Sequence, residues 1–435
     1  MIRILPIRRR DSADPSVALL RQHRPFRWFW VGQSLSFVGT QVTAVALPLV
    51  AALTLDTGPG GVGAVATAAM LPNLLFSLLA GDWVEGRDHR RVMIPTDLIR
   101  ALLVAVIPAA WLFGWLSIPL LVVVAFLAGT AGAFFEIAGF AYIPRLVAAE
   151  ELAAANRAVQ GSSTTAQVAG PGLAGLLVQA LGPPLAIAFD AVSYLASALG
   201  IIAGRPRSPG TMADPADDPP VSRRTRLLHG MKLLFTNPYL RALTAHAAVY
   251  NLASQILTIN LVLWMVQDRA VSTGAYGLAL SAGGAGAFLG TLWALRLADR
   301  LGFGRAFATA LLLSCFVPLL IAAIPVGGTA LAGAVAAILL VSGVGLGTAN
   351  IYSVTLRQIV IPADQLARSV GAYRQVMYGS IPIGAALAGA LGETAGTRAA
   401  VAIGTLGLAL SATPMLTRRM RTLSTPQAAA SAPQA

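Results

Sequence analysis

The sequence has few charged residues and almost no cysteine. Of its 435 residues, 11% are charged and 56% are apolar, whereas a soluble domain carries about 25% charged residues to cover its surface. Cys315 is the single cysteine, which excludes an intramolecular disulfide and a metal site built from several cysteines. The composition therefore excludes an ordinary soluble protein and indicates an integral membrane protein.

Lysine is almost absent too. Lys232 is the only lysine among 31 basic residues, and Leu233 follows it, so the chain has no nucleotide-binding loop of the Gly-Lys-Ser/Thr type. The four histidines are scattered, without the spacing of metal ligands or a partner nucleophile. We therefore expect no metal, no other cofactor and no enzymatic activity.

Apolar runs of about 20 residues, the length that spans a bilayer, fill most of the chain. Twelve such runs begin near Trp28, Val62, Val92, Ile118, Ala158, Leu185, Leu240, Ala275, Ala306, Ala330, Ala372 and Ala399. Arginines cluster at both chain ends and in the loops after even-numbered runs, which leaves Arg269 and Arg398 on the other side. The positive-inside rule then predicts a multi-pass protein of the cell membrane with both termini in the cytoplasm. The net charge of +13 is a topology signal, and we expect no nucleic-acid partner.

Composition also marks the segment boundaries. Residues 205–230 contain five prolines and charges of both signs, which is typical of a flexible linker. The first 27 residues lack the separate hydrophobic core of a removed signal peptide. The predicted segments are a cytoplasmic N-terminal segment, a six-helix bundle, a cytoplasmic linker, a second six-helix bundle and a disordered cytoplasmic tail, at 1–27, 28–204, 205–238, 239–416 and 417–435.

The sequence repeats itself at an offset of 214 residues. Matches between scarce polar residue types are the informative ones in so apolar a chain. The matched pairs include Glu85 with Asp299, Arg91 with Arg305, Gln41 with Gln255, Gly170 with Gly384, and Gly175 with Gly389. Many secondary transporters consist of two related halves around a site at the membrane midplane. We predict an all-α fold of twelve transmembrane helices in two pseudo-symmetric six-helix halves.

Several sequence signatures resemble a known family. The first is the loop after the second span, at 81–91, which is repeated after the eighth span at 298–305. The second is a Gly-Pro stretch in the fifth span, at 167–175, and three shorter strings lie at 97–101, 142–147 and 190–194. Together they resemble the major facilitator superfamily, and within it the drug and siderophore exporter branch that includes macrolide efflux proteins and the enterobactin exporter. The likeness runs through all twelve spans and implies the major facilitator fold.

The resemblance implies a cytoplasmic gate at the loops after spans two and eight. Acids and arginines there pair with the facing half when the cytoplasmic side is closed and separate when it opens. Glu85 and Gly86 depart from the usual acid and arginine of the first loop, which implies a weaker latch in the first half. The alternative is that these charges only anchor helices at the interface. The gate candidates are Gly81, Glu85, Arg90, Arg91, Asp97, Arg100, Asp299, Arg300 and Arg305.

The fifth span carries a motif that resembles the Gly-Pro motif of exporters. Small residues allow two helix backbones to approach closely, and a proline removes one helical hydrogen bond. We expect this helix to rock against span eight, where Gly283, Gly284, Gly286 and Gly290 offer a facing surface. The alternative is a tight contact with no role in gating. The motif residues are Gly170, Pro171, Gly172 and Gly175.

Ionisable side chains inside a membrane are candidates for function, because each costs on the order of 3 kcal/mol to insert. Asp190 lies in the sixth span, roughly 8 Å from its outer end, and is the first candidate for a carboxyl group that carries protons. Glu136, roughly 27 Å from the outer edge of span four, is the second. The alternative for Asp190 is an acid that braces the outer helix ends. Asp97 and Arg100 lie one turn apart and can pair locally.

Polar stripes on spans one and seven are the candidates for substrate binding. Such one-sided stripes in an otherwise apolar wall suit an amphipathic or hydrophobic small molecule. The alternative is that these side chains bond neighbouring helices together. The candidates are Gln33, Ser36, Thr40, Gln41, Asn251, Ser254, Gln255 and Thr258.

The resemblance implies a secondary active exporter that works by alternating access, driven by protons and functional as a monomer. Its expected partners are a small-molecule substrate, protons and the lipid bilayer. Two alternatives stay open: a carrier of the same fold that is independent of a gradient or flips lipids or lysophospholipids, and a membrane-embedded enzyme.

Overall fold

The structure is a computed structural model that describes residues 15–84, 87–204, 231–362 and 365–427. Within these ranges the chain forms helices and no strands. The α-helices are α1 (Pro15–Gln22), α2 (Arg24–Leu49), α3 (Pro59–Val84), α4 (His89–Leu112), α5 (Ile118–Leu146), α6 (Leu152–Leu181), α7 (Pro183–Ala203), α8 (Pro238–Val262), α9 (Thr273–Leu301), α10 (Phe303–Phe316), α11 (Gly328–Val360), α12 (Leu366–Ala395), α13 (Thr397–Ser411) and α14 (Arg418–Arg421).

Ten helical segments are long and apolar enough to cross a membrane. They include α2 to α5, α7 to α11 and α13, in several cases extended by a short π or 3₁₀ segment. The two other long helices, α6 and α12, have 30 residues each. With these two added, the structure is consistent with the twelve predicted spans.

Local signals set the helix ends. Asp88 caps α4 through a bond from the Arg90 amide at 3.1 Å, and Asn237 caps α8 by accepting from two first-turn amides, as short polar side chains do at helix starts. Gly182 and Gly396 have φ of 83° and 85°. These left-handed conformations favour glycine and allow α6 to turn directly into α7, and α12 into α13.

Helix positions repeat between the halves at the offset found in the sequence. Equivalent helices begin at Arg24 and Pro238, at Pro59 and Thr273, at His89 and Phe303, at Leu152 and Leu366, and at Pro183 and Thr397. Even the π-helical segments that follow α2 and α8, Val50–Thr54 and Leu263–Asp268, lie at equivalent places. The predicted division into two pseudo-symmetric halves, α2 to α7 and α8 to α13, is confirmed.

The two halves meet along two seams. One seam joins α3 to α12 and the other joins α6 to α9; other helices of opposite halves make at most slight contact within the described ranges. We call the end of the bundle near α1 and α14 the terminal end, and the opposite end the far end. Along the seam between α3 and α12, close contacts extend from Gly63 and Gly389, near the far end, to Gln375 and Leu74, at mid-depth. The halves are therefore closed together at the far end.

Parts of the predicted segment boundaries can be compared with the helices. The tail was expected to be disordered from residue 417, but its described part packs on the start of α10. The Gly304 amide donates to the Leu423 carbonyl at 2.8 Å, and Met420 is buried there. Glycine at 304 permits this contact, because a Cβ would collide with the Met420 carbonyl. The predicted linker lies mostly outside the described residues and stays a prediction.

Candidate functional site

Charged and polar side chains of α2, α4 and α7 come together inside the first half. We call Asp97, Arg100, Asp190 and Tyr194 the polar cluster. Both carboxylates are fully buried, and the Arg100 side chain is 12% exposed. Asp97 lies eight residues into α4, roughly 12 Å from its terminal end, and Asp190 lies seven residues into α7, roughly 10 Å from its far end. The cluster is thus well inside the bundle.

Arg100 is the centre of this cluster. Its guanidinium donates to Asp97 Oδ1 at 3.3 Å and to the Tyr194 hydroxyl at 2.7 Å. It also stacks over the Tyr194 ring, 3.8 Å from the ring centroid, an arrangement that favours arginine over lysine. The predicted local pairing of Asp97 with Arg100 is confirmed.

Asp190 is held by hydroxyl groups. Thr43 donates to Asp190 Oδ2 at 2.5 Å, and Ser193 lies 3.0 Å from Oδ1. Gly39 of α2 makes this approach possible, because a Cβ at that position would lie 2.5 Å from Asp190 Oδ1. Thr40, one residue further, lies 3.4 Å from the Tyr194 hydroxyl. Helix α2 therefore links Asp190 to the rest of the polar cluster.

The charges of the cluster do not balance. Two buried carboxylates, Asp97 and Asp190, interact with the single guanidinium of Arg100. Asp97 Oδ2 has no hydrogen-bond partner among the described residues. Burying an unpaired charge is strongly unfavourable, and among the described residues the cluster offers one cation for its two carboxylates.

The other predicted proton carrier, Glu136, lies on α5 beside residues that face Arg100. Arg100 stacks over the Phe135 ring at 5.3 Å from the ring centroid, and a Cβ at Gly132, one turn before Glu136, would lie 3.8 Å from Arg100 Nε. Glu136 of α5 has an exposed side chain.

Sequence reasoning missed Thr43 and Tyr194 as partners of Asp190. The available signal was Tyr194 one turn after Asp190 on the same helix face.

The predicted substrate residues divide into buried and accessible sets. Gln33 and Ser36 are buried between helices, which fits the helix-bonding alternative. Thr40 and Thr258 are exposed. The partly exposed residues are Gln41, Asn251, Ser254 and Gln255.

The two glutamines occupy equivalent packing sites. A Cβ at Gly170 would lie 2.5 Å from the Gln41 Cβ, and a Cβ at Gly384 would lie 3.0 Å from the Gln255 Cβ. The matches seen in the sequence are therefore contacts in space, with each glutamine seated on the glycine of a neighbouring helix. Asn251 bonds within α8, to the Ala247 carbonyl at 2.8 Å.

An apolar groove of about 620 Å³ lies between α3, α5 and α12. Its lining includes Ala64, Thr67, Val123 and Leu127, and none of the predicted substrate residues. Among the described residues, no group of three His, Cys, Asp or Glu side chains is placed to hold a metal ion.

The predicted gate residues of the terminal end make no ion pair between the halves in the described part of the chain. Arg90 donates to the Ile201 and Ile202 carbonyls at 3.2 and 3.1 Å, at the end of α7. Arg91 pairs with Asp88 at 3.5 Å on the surface. Gly81 lies in the last turns of α3, Asp299, Arg300 and Arg305 are exposed, and Glu85 lies outside the described residues.

The Gly-Pro motif lies at the seam between α6 and α9. The Gly172 amide donates to the Ser281 hydroxyl at 2.8 Å, and a Cβ at Gly175 would lie 2.9 Å from the Gly277 Cα. Of the four glycines expected to face α6, only Gly284 does so, against Val168. The other three, Gly283, Gly286 and Gly290, lie against α11 instead. The difference arises because α9 packs on α6 with one face and on α11 with another.

The second seam repeats this packing. A Cβ at Gly63 would lie 2.6 Å from the Gly389 Cα. Gly63 lies 214 positions before Gly277, and Gly389 lies 214 positions after Gly175. Each seam is thus a contact between glycines of one long helix from each half. Such contacts let helix backbones approach closely.

Comparison with known proteins gives consistent matches over nearly the whole chain. Residues 15–434 match the model of a family described as transmembrane secretion effector, of the major facilitator type. The MFS-type transporter y4rN of Sinorhizobium fredii is 29% identical over 389 residues, which cover 84% of this chain and 90% of that protein. The multidrug efflux pump Tap of Mycolicibacterium fortuitum is 29% identical over 378 residues, which cover 83% and 87%.

Solved structures share the fold. A crystal structure of a bacterial homologue of the iron transporter ferroportin, in an inward-facing state, superposes with a TM-score of 0.72 at 18% sequence identity. The match covers 92% of this chain and 99% of that one.

Proposed function

Because the chain belongs to the transmembrane secretion effector family of the major facilitator superfamily, whose members are membrane transporters and not enzymes, we propose that it is a proton-coupled exporter. It moves a small amphipathic or hydrophobic molecule out of the cell by alternating access. The fold, the efflux pump among its relatives and the Gly-Pro motif at a seam support this direction.

The observation that carries the proposal is the charge imbalance in the polar cluster. With one guanidinium for two buried carboxylates, the cluster holds one proton more readily than none. Loss of that proton leaves a net charge that the surrounding helices must accommodate. A proton shifts the balance between conformations only if it binds them unequally, and a cluster shared by α2, α4 and α7 changes whenever these helices move.

The shape of the bundle suits uptake of cargo from the cytoplasm. The arginine pattern supports a terminal end inside the cell, with both termini cytoplasmic. The halves are closed together at the far end, which is what the proposed exporter needs when it faces the cytoplasm. The pairs Gly175 with Gly277 and Gly63 with Gly389 are the contacts about which the halves rock.

In the proposed exporter, the cargo site lies between α2 and α8. The exposed Thr40 and Thr258 and the partly exposed Asn251 and Ser254 supply a few hydrogen-bonding groups in an apolar surface. Such a mixture suits an amphipathic molecule. Thr40 also contacts Tyr194, which connects the cargo site to the polar cluster.

Transport in vesicles with an imposed pH gradient tests the proposal. The protein is reconstituted and screened with fluorescent amphipathic dyes and macrolides. We expect Asp190→Asn to lose gradient-driven transport while it retains binding of the dye. Glu150→Gln, at an exposed acid, is the matched control and should transport like the wild type. Full gradient-driven transport by Asp190→Asn would remove Asp190 from the mechanism.

The alternative is a carrier of the same fold that ignores the gradient, including one that flips lipids or lysophospholipids. An uncoupler separates the two. Collapse of the pH gradient should stop accumulation by the exporter, whereas such a carrier would continue to equilibrate its cargo.

A further inference from the structure

Among the described residues, three side chains bridge the halves at the far end. Gln267, just after α8, donates to the Ala52 carbonyl, just after α2, at 2.7 Å, and the other two side chains lie at the seams. Gln179, near the end of α6, accepts a hydrogen bond from the Gly274 amide of α9 at 3.2 Å. Glu393, near the end of α12, accepts one from the Gly60 amide of α3 at 3.1 Å. Each bond therefore crosses a seam from one half to the other.

These two bonds are equivalent in the two halves. Gln179 and Glu393 lie 214 residues apart, as do Gly60 and Gly274. Each acceptor lies one turn beyond the seam glycine of its own helix, Gly175 or Gly389. Each donor amide belongs to the second residue of its helix.

Amides in the first turn of a helix have no partner within that helix. A side-chain oxygen from the other half satisfies one of them only while the far end is closed. Glycine at the donor position leaves room for this, because a Cβ at Gly60 would lie 3.2 Å from the Glu393 carboxylate, and one at Gly274 would meet the Gln179 side chain.

The two bonds differ in charge. A carboxylate at the positive end of a helix gains from the helix dipole as well as from the hydrogen bond, and charge-assisted hydrogen bonds are roughly twice as strong as neutral ones. The bond of Glu393 is therefore expected to be stronger than the bond of Gln179.

We propose that Gln179 and Glu393 are the latches of the far-end gate, and that Glu393 is the stronger latch. Opening of the far end breaks both bonds together with the Gln267 bond, so the strength of each latch contributes to how often the exporter faces outward. The inference rests on the alternating access of the proposed function, but its test needs neither cargo nor a proton gradient.

Spin-label distances across the far end test the latches. Leu112 and Val326 are exposed at equivalent places near the far ends of the two halves, and the native Cys315 is fully buried. The variant with Leu112→Cys and Val326→Cys is labelled in lipid bilayers, and pulsed electron spin resonance gives the ratio of long to short distances. Glu393→Ala should raise this ratio about tenfold and Gln179→Ala about threefold.

Two further variants sharpen the result. Glu393→Gln keeps the hydrogen bond without the charge, so its ratio should fall between those of the wild type and Glu393→Ala. Thr394→Ala, which removes a hydroxyl that bonds within its own helix, is the control and should leave the ratio unchanged. Ratios for Glu393→Ala and Gln179→Ala that equal the control would overturn the latches, and equal rises would overturn their assigned order. Failure of proton-coupled transport would leave these distances unaffected, so the two proposals fail separately.

Discussion

The two halves share a backbone plan but differ in their buried chemistry. The positions equivalent to Asp97, Arg100, Asp190 and Tyr194 in the second half are Leu311, Ser314, Gly404 and Leu408. Leu311 and Leu408 are buried in an apolar core, and Gly404 lies against the backbone of α8. The same helices at the same places therefore carry a charged cluster in one half and no ionisable residue at the equivalent positions of the other.

This difference separates scaffold from mechanism. The repeated glycine contacts and helix caps are what a rocking bundle needs, and both halves have them. The ionic cluster is not required to build six packed helices, since the second half does without it. In the proposed mechanism, proton coupling therefore belongs to the first half, and the second half is its scaffold counterpart.

Among these tests of the difference between the halves, removal of Arg100 should have the largest effect on stability. Arg100→Leu leaves Asp97 and Asp190 buried without a cation, and breaking a buried charged pair costs about 3–5 kcal/mol. We expect a steep loss of folded protein, measured by size-exclusion chromatography and thermal unfolding in detergent. Arg100→Lys, which keeps a cation beside the carboxylates, is the control and should lose less folded protein.

Replacing the whole cluster should rescue folding. A variant with Asp97→Leu, Arg100→Ser, Asp190→Gly and Tyr194→Leu gives the first half the residues of the second. This variant leaves no carboxylate buried without a cation, so it should fold better than Arg100→Leu, and it should lose gradient-driven transport. A variant that is less stable than Arg100→Leu would show that the first half needs its charges to fold.

The seam glycines should respond alike in both halves. Gly277→Ala and Gly63→Ala each place a methyl group against the backbone of the facing helix, and such overpacking costs about 1–3 kcal/mol. We expect similar decreases of the unfolding temperature and reduced transport in both. Gly161→Ala, where the added methyl meets open space, is the control. A large effect at one seam only would contradict their equivalence.

The smallest effect is expected at the surface pair of Arg91 and Asp88, whose side chains are 87% and 54% exposed. Surface ion pairs contribute about 0–1 kcal/mol, so Arg91→Ala should leave the unfolding temperature nearly unchanged. Arg305→Ala is the equivalent change in the second half. A clear loss of transport in either variant with stability intact would support the predicted gate at the terminal end.

The sequence was sufficient for the fold because the membrane imposes long apolar runs and the repeat leaves matched residues. The resemblance to the major facilitator superfamily is confirmed, and so is the repeat that pairs Gln41 with Gln255. The packing of Met420 and Leu423 on α10 could not be foreseen, because it is a tertiary contact without local periodicity.

The site was harder to foresee. Asp190 was identified as a buried acid because charge is scarce in a span, but its link to Arg100 depends on how α4 and α7 pack. Sequence spacing could pair Asp97 with Arg100 on one helix and could not place Thr43 of α2 beside Asp190. Burial of Gln33 and Ser36 also depends on neighbouring helices. The roles of Glu136 and of the gate residues stay predictions.

Infrared spectroscopy of the purified protein tests the central claim most directly, because it detects the carbonyl band of a protonated carboxylic acid. At neutral pH the wild type should show such a band from a carboxyl group shielded from solvent. The band should disappear when Asp97→Asn and Asp190→Asn are combined, and it should persist in Glu150→Gln. A wild-type spectrum without this band, or a band that survives in the double variant, would contradict a shared proton in the polar cluster.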